Sequence, residues 1–351
     1  MTALDPAAPT PGALVVHTAA DHALSPDARA AIAAGVPAST RRAYATDWRA
    51  FTAWCHVAGR LPLPATAETV AEYVTHLTTA PSARTGRPLA PPTIERALAA
   101  IRTTHHTADV PVPQTKAARK ILSGYRMRLA LAHDVAARPR KADPALPDSL
   151  RAMLATLDRA RLAGQRDAVL LLLGYGCAAR VSELAALDIA DVRETPEGLL
   201  VTIYRRKLKK FTECKVGYGT NPATCPVRAV RALLEAMAAR GRTNGPLLVR
   251  IDRHGHAGVQ IRRAGRPVGD PSGRMTPDAV LDVVTRTAAA AGLEGRWTGH
   301  SLRRGFATAA RRAGKTLERI GRHGGWADNS TALLGYLDDA DDWTDNPVVG
   351  L

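Results

Sequence analysis

Three segments of the chain gather basic and polar residues where a hydrophobic core would not want them. In Cys177-Ala178-Ala179-Arg180-Val181-Ser182-Glu183-Leu184, Arg180 and Glu183 stand three residues apart, on one face if a helix runs through them. In Gly299-His300-Ser301-Leu302-Arg303-Arg304-Gly305, His300 and Arg303 share that spacing at a helix start, where backbone amides and a guanidinium suit a phosphate. The third segment is Gly324-Gly325-Trp326-Ala327-Asp328, with Tyr336 ten residues after the tryptophan. Taken singly, these read as a surface ion pair, a solvated basic helix end and a packed tyrosine. Joined to the turn Arg205-Arg206-Lys207-Leu208-Lys209-Lys210, they suffice to break a phosphodiester without a metal. A phenol attacks phosphorus once its proton is removed, two guanidiniums neutralise the non-bridging oxygens, and a cation with a mobile proton protonates the leaving alkoxide. Arginine is a poor proton donor because its pKa lies above about 12. The lysines are therefore informative: only 8 of the 48 basic residues are Lys, and positions 207, 209, 210 and 215 hold half of them.

The elements that carry these residues follow from pattern and punctuation. A short helix is expected after Ser25 as N-cap and Pro26, stopping at Gly35. From Ser39 a stronger helix sets Tyr44, Trp48, Phe51 and Trp54 on one face, which reads as core packing. Further helices are expected near 66–77, 92–105 and 115–131, making an all-α domain. Residues 134–148, with Pro139, Pro144 and Pro147, read as a linker. Beyond it, helices are expected near 149–160 and 165–174, and strands at 199–204 and 211–217 flank the basic turn as a hairpin. Helices then resume at 226–240, at 277–291 with Thr276 as N-cap and Gly292 as stop, at 301–313 and at 331–336.

The 351 residues, 46% apolar, are enough for two packed domains, and the net charge of +16 points to a polyanionic partner, nucleic acid first. The apolar stretch at 168–179 is far shorter than the roughly 20 residues a membrane span needs, and no export signal opens the chain. Four cysteines without metal-ligand spacing suit free thiols in a reducing, cytoplasmic setting. Gly314-Lys315-Thr316 lacks the glycine a phosphate loop needs five residues earlier. His105-His106 and His254-x-His256 lack supporting ligands, so loop or exposed histidines are expected there, and no metal. The glycine-rich stretch 265–273 with Arg262, Arg263 and Arg266 reads as a DNA-facing or disordered insertion.

The order Arg180, Lys207, His300-x-x-Arg303, Trp326, Tyr336 resembles the catalytic series of the tyrosine recombinase (phage integrase) family, over residues 38–342. Arg-Val-Ser-Glu-Leu at 180–184 and His-Ser-Leu-Arg-Arg-Gly-Phe-Ala-Thr at 300–308 carry most of the likeness. The tract before Arg180 is one residue longer than the family's usual form, and the interval from Trp326 to Tyr336 is also slightly long. The resemblance implies a mainly α fold with a small β-sheet (α+β). It divides into a flexible arm at 1–36, a core-binding SAM-like domain at 37–133, the linker, a catalytic domain at 149–342 and a tail at 343–351, closing as a C-shaped clamp on DNA. It implies a site-specific recombinase that cuts and rejoins DNA through a 3′-phosphotyrosine without metal, ATP or other cofactor. A type IB topoisomerase and a non-catalytic DNA-binding protein are the alternatives. Arg180 and Arg303 would grip the phosphate, Lys207 would protonate the 5′-oxygen, with Lys209 and Lys210 as rivals on the same turn, and His300 would move protons near the nucleophile Tyr336. Glu183 would support the site and Trp326 would face the phosphate. Arg41, Arg42, Arg205, Arg206, Lys209, Lys210 and Arg304 are the expected DNA contacts. The implied partners are double-stranded DNA, three further copies of the chain on two sites, and an accessory DNA-bending protein.

Overall fold

The computed structural model describes residues 18–341 except 19, 22, 84, 139 and 329, with the backbone alone given at 33 and 337–341. Most of the expected arm's first half and the whole expected tail lie outside the described residues. The chain divides into two compact units that meet between residues 139 and 140.

The first unit is helical: α1 (Pro26–Ala34), α2 (Ala38–Val57), α3 (Ala67–Thr79), α4 (Pro91–Thr107) and α5 (Lys116–Leu131). Side chains that compete with helical backbone sit where they help. Ser25 Oγ accepts from Ala28 N and Thr66 Oγ1 from Thr69 N, each satisfying a first-turn amide. The aromatic face of α2 is core, as its spacing predicts: Phe51 is fully buried, edge-on to Tyr73 at 5.0 Å, with Trp48 and Trp54 packed on the same cluster. Asp47, on α2, is buried and takes two hydrogen bonds from Arg96, at 2.7 and 3.0 Å, which ties α2 to α4. His105 corrects the expectation of a loop or exposed histidine. It has no exposed surface, its Nδ1 faces Ile101 O at 2.7 Å, and its Nε2 accepts from Ala65 N at 2.8 Å. Those partners require the neutral ring with the proton on Nδ1.

The second unit holds α6 (Pro147–Ala155), α7 (Leu162–Gly176), α8 (Val181–Leu184), α9 (Pro226–Ala238), α10 (Pro277–Ala290), α11 (Ser301–Arg312), α12 (Leu317–Gly324) and α13 (Thr331–Asp341). Its sheet is antiparallel in the order β1 (Val192–Thr195), β2 (Gly198–Arg205), β3 (Lys210–Gly217). Helix α7 is apolar nearly all round and buried along most of its length, so the other elements pack about it. Part of the expected linker is bound into this unit: Asp143 N donates to Arg296 O and Ala145 N to Ser301 O, each at 2.9 Å.

Strand β1, helix α12 and a second hairpin are absent from the sequence reading. Helix α12 has only two apolar side chains and three glycine or histidine residues in its last four positions. It is held by the Thr316 cap, by buried Ile320 and by a left-handed Gly325. The arginine-rich insertion is an ordered exposed hairpin, β4 (Ile261–Arg263) and β5 (Arg266–Val268), turned through positive φ at Ala264 and Gly265.

Replacing His105 with leucine keeps the bulk but leaves the Ala65 amide without its acceptor. We expect faster amide exchange at Ala65 and a loss of about 1–3 kcal/mol in denaturant titrations.

Candidate active site

Helix α7 ends at Gly176, and three buried residues, Cys177, Ala178 and Ala179, bring the chain to Arg180 at the start of α8. Glu183 folds back on this start, accepting from Arg180 N at 3.0 Å and from Arg180 Nη1 at 2.6 Å. The three-residue spacing thus makes the ion pair it promised, but inside the protein: the Glu183 side chain is fully buried and that of Arg180 is 18% exposed.

The second partner of Glu183 is Arg205, and here the structure overturns the expected DNA contact. Along β2 the inner face carries Val201, Ile203 and then Arg205, all within 1% of full burial, while Tyr204 and Arg206 point to solvent. A strand alternates faces with period two, so an inward Ile203 forces Arg205 inward too. Its Nη1 donates to Glu183 Oε2 at 2.9 Å and its Nε to Thr212 Oγ1 at 3.1 Å. Burial pushes the Glu183 carboxyl up, but the Arg180 amide and the charges of Arg180 and Arg205 outweigh it and hold the group below its ordinary 4.5.

Arg303, on α11, is 1% exposed. Its Nη1 donates to Ala178 O and to Gly324 O, its guanidinium lies 3.5 Å from the centre of the Trp326 ring, and its buried Nη2 has no hydrogen-bond partner among the described residues. Burial first, then the charge of Arg180, lowers its pKa to about 9. Trp326, which the resemblance sets against a phosphate, is 7% exposed and gives its face to Arg303. Two glycines make this packing possible. A Cβ on Gly324 would fall 1.7 Å from the Trp326 ring, and Gly325, at φ +62°, would bring one within 2.7 Å of Arg205 Nε.

His300 immediately precedes α11 and keeps exposed surface. Desolvation, followed by the charges of Arg180, Arg303 and Lys207, holds its ring below the ordinary 6.5, against a smaller opposite effect of Glu183. The charge of Lys207 thus reaches the His300 ring, as do those of the two arginines. Arg206, Lys207, Lys209 and Lys210 are all exposed on the β2–β3 turn, where Lys209 takes φ +52°. Tyr336, on α13, is half-buried; its carbonyl accepts from Thr308 Oγ1 at 3.1 Å, its ring meets Trp326 edge-on at 6.1 Å, and its phenol lies close enough to Arg303 to act on that group's charge. Arg304, also expected on DNA, is 3% exposed and lies 5.8 Å from the Tyr336 ring, because it sits on the packed side of α11. Arg41 and Arg42 are exposed at the start of α2, in the other unit.

The matching profile is that of the phage integrase family, over residues 146–342. The chain belongs to that family. It is 29% identical over 276 residues to the integrase/recombinase xerD homolog of Selenomonas ruminantium, covering 78% of this chain and 73% of the relative. It is 26% identical over 308 residues to the recombinase cre of Escherichia phage P1, covering 84% and 82%. A solved structure of a lambda integrase tetramer bound to a Holliday junction shares the fold at a TM-score of 0.53 and 13% identity, over 91% of this chain and 78% of that one. The protein is thus a tyrosine-type site-specific recombinase, which cleaves and rejoins DNA. Among the described residues no helix is long and apolar enough to cross a membrane, and no group of three His, Cys, Asp or Glu could hold a metal.

Beneath this recombinase site lies a cluster absent from the sequence reading. His323, on α12, has Nε2 at 2.6 Å from Gly176 O and 3.2 Å from Cys214 Sγ, and its ring stacks on Phe306 at 4.6 Å. The available clue was the Thr316 cap and Gly325 stop, which bracket an eight-residue helix.

Glu183→Ala would leave Arg205 buried beside no anion, an expected loss of about 3–5 kcal/mol, read from the unfolding midpoint. Because the folded carboxyl titrates below 4.5, its stabilisation is complete above that pH and is lost as pH falls through the lowered value. Glu183→Gln is accordingly expected to flatten the acid limb of stability.

Proposed function

We propose that Tyr336 is the nucleophile of this recombinase and that Arg180 and Arg303 receive the scissile phosphate. The phenol oxygen attacks phosphorus, the bond to the 5′-oxygen breaks, and a 3′-phosphotyrosine remains. Attack by the 5′-hydroxyl of another strand reverses the step, so the phosphodiester energy is kept in the covalent bond and no nucleotide hydrolysis is needed. The observation that carries this reading is the Arg303 guanidinium: buried and stacked on Trp326, whose ring meets that of Tyr336, it has Nη2 still unbonded among the described residues. Such a donor gains most when a phosphate oxygen arrives.

Lys207 supplies the proton to the leaving 5′-oxygen, supported by the effect of its charge on the His300 ring. His300, held below its ordinary 6.5 by desolvation and then by the surrounding cations, is suited to accept the phenol proton. Arg206, Lys209 and Lys210 on the same turn, and Arg41 and Arg42 on α2, contact DNA phosphates. Residues 36–143 carry a net +9 and residues 144–336 a net +14, which supports DNA contact by both units. We assign the working assembly as a tetramer on two DNA sites, by analogy with the lambda integrase tetramer, acting in the cytoplasm where the DNA lies.

A nicked suicide site should trap wild-type protein as a covalent adduct and yield none with Tyr336→Phe; an adduct in that variant removes the nucleophile assignment. Lys207→Ala should slow cleavage by about 10²–10⁴-fold. A site whose scissile 5′-oxygen is replaced by sulfur, a leaving group that needs no proton, should restore it, whereas Lys209→Ala and Lys210→Ala should not require such rescue.

A further inference from the structure

We propose that Arg205 is a positioning residue of the active site, holding both phosphate-binding arginines in place without touching DNA; this rests on the roles given to Arg180 and Arg303 above. Its Nη2 takes the carbonyls of Cys177 at 3.0 Å and His323 at 3.2 Å. Arg303 Nη1 takes the carbonyls of the next residue in each segment, Ala178 and Gly324. The turn after α7 and the end of α12 are therefore gripped at consecutive carbonyls by two guanidiniums, one from β2 and one from α11. Ala178 sits at φ +46°, a conformation a non-glycine residue holds only when its surroundings impose it. The two grips on its carbonyl and on the preceding one do so.

The remaining donors of Arg205 complete the arrangement. Through Nη1 it fixes Glu183 Oε2, whose other oxygen fixes Arg180, and through Nε it reaches Thr212 Oγ1 on β3. One planar fork thus connects Arg180, by way of Glu183, with the two segments that hold Arg303, and it stands two residues before Lys207 on the strand that leads into the turn. Only a guanidinium offers this many donors in fixed directions; an ammonium at the same place keeps the charge but cannot reach four acceptors on separate elements. Gly325 is part of the same device, since a Cβ there would press on Arg205 Nε at 2.7 Å.

The test is single-turnover cleavage at saturating DNA, with DNA affinity and melting temperature measured alongside. Arg205→Lys is expected to keep affinity within about threefold. Its cleavage rate should fall about 10²-fold, the scale of an ångström misplacement. A purely structural role would lower the melting temperature without slowing cleavage at saturating DNA well below it. Thr212→Val, which removes one acceptor and leaves the core intact, should slow cleavage about tenfold. Cleavage by Arg205→Lys within threefold of wild type, or a rate loss that only tracks affinity, overturns the proposal. If Arg205→Lys does not fold, an unchanged rate in Thr212→Val overturns it. Wild-type protein that forms no Tyr336-dependent adduct rejects the assignments of the preceding section instead.

Discussion

A carboxylate with no exposed side-chain surface, shared between two guanidiniums, is the interaction on which the catalytic unit depends. Burying an ion costs several kcal/mol unless its partners and hydrogen bonds are well placed. Glu183 meets that condition with three close donors, the Arg180 amide, Arg180 Nη1 and Arg205 Nη1. Arg303 lies nearby, with its acidity raised first by burial and then by the charge of Arg180, so the site gathers more positive than negative charge in a largely desolvated space. A phosphodiester is the kind of ligand that relieves this imbalance, and low local polarity makes the gain larger than it would be in water.

That constraint also changes how the chain's charge is understood. A net +16 with 40 arginines suggests a uniformly DNA-facing surface. Several of those arginines are internal. Arg166 donates to Asp167 and to Val249 O, Arg286 completes the Asp167 pairing, and Arg205, Arg303 and Arg304 are buried. Arginine is suited to this work because its weakly hydrated planar head can bind carbonyls and carboxylates at once. The lysines show the opposite pattern: Lys207, Lys209 and Lys210 are exposed on one turn, as suits compact, strongly hydrated charges.

The helices were legible because their signals are local. The α2 stripe, the Thr276 cap with Gly292 beyond α10, and the paired strands about the basic turn each depend on residues within a few positions of one another. The spacing of Arg180 to Glu183 and of His300 to Arg303 was equally local, and both relations appear at helix starts. Helix α12 was not legible, because its sequence is rich in glycine and charge and it is stabilised by contacts to distant elements. His105 was misjudged for the same reason: its ring is buried by an amide 40 residues earlier in the chain.

The sequence by itself determined which residues were available for phosphodiester chemistry, their order and family resemblance, and most of the helices that carry them. Tertiary structure decided which arginines are exposed and which are buried among the groups of the site. Arg205 and Arg206 are neighbours with the same side chain, yet one is fully buried and the other exposed. The difference comes from which face of β2 packs on the core and from acceptors as far as 118 residues away, at His323. Local pattern records the alternation of a strand, but only the packed fold chooses the face.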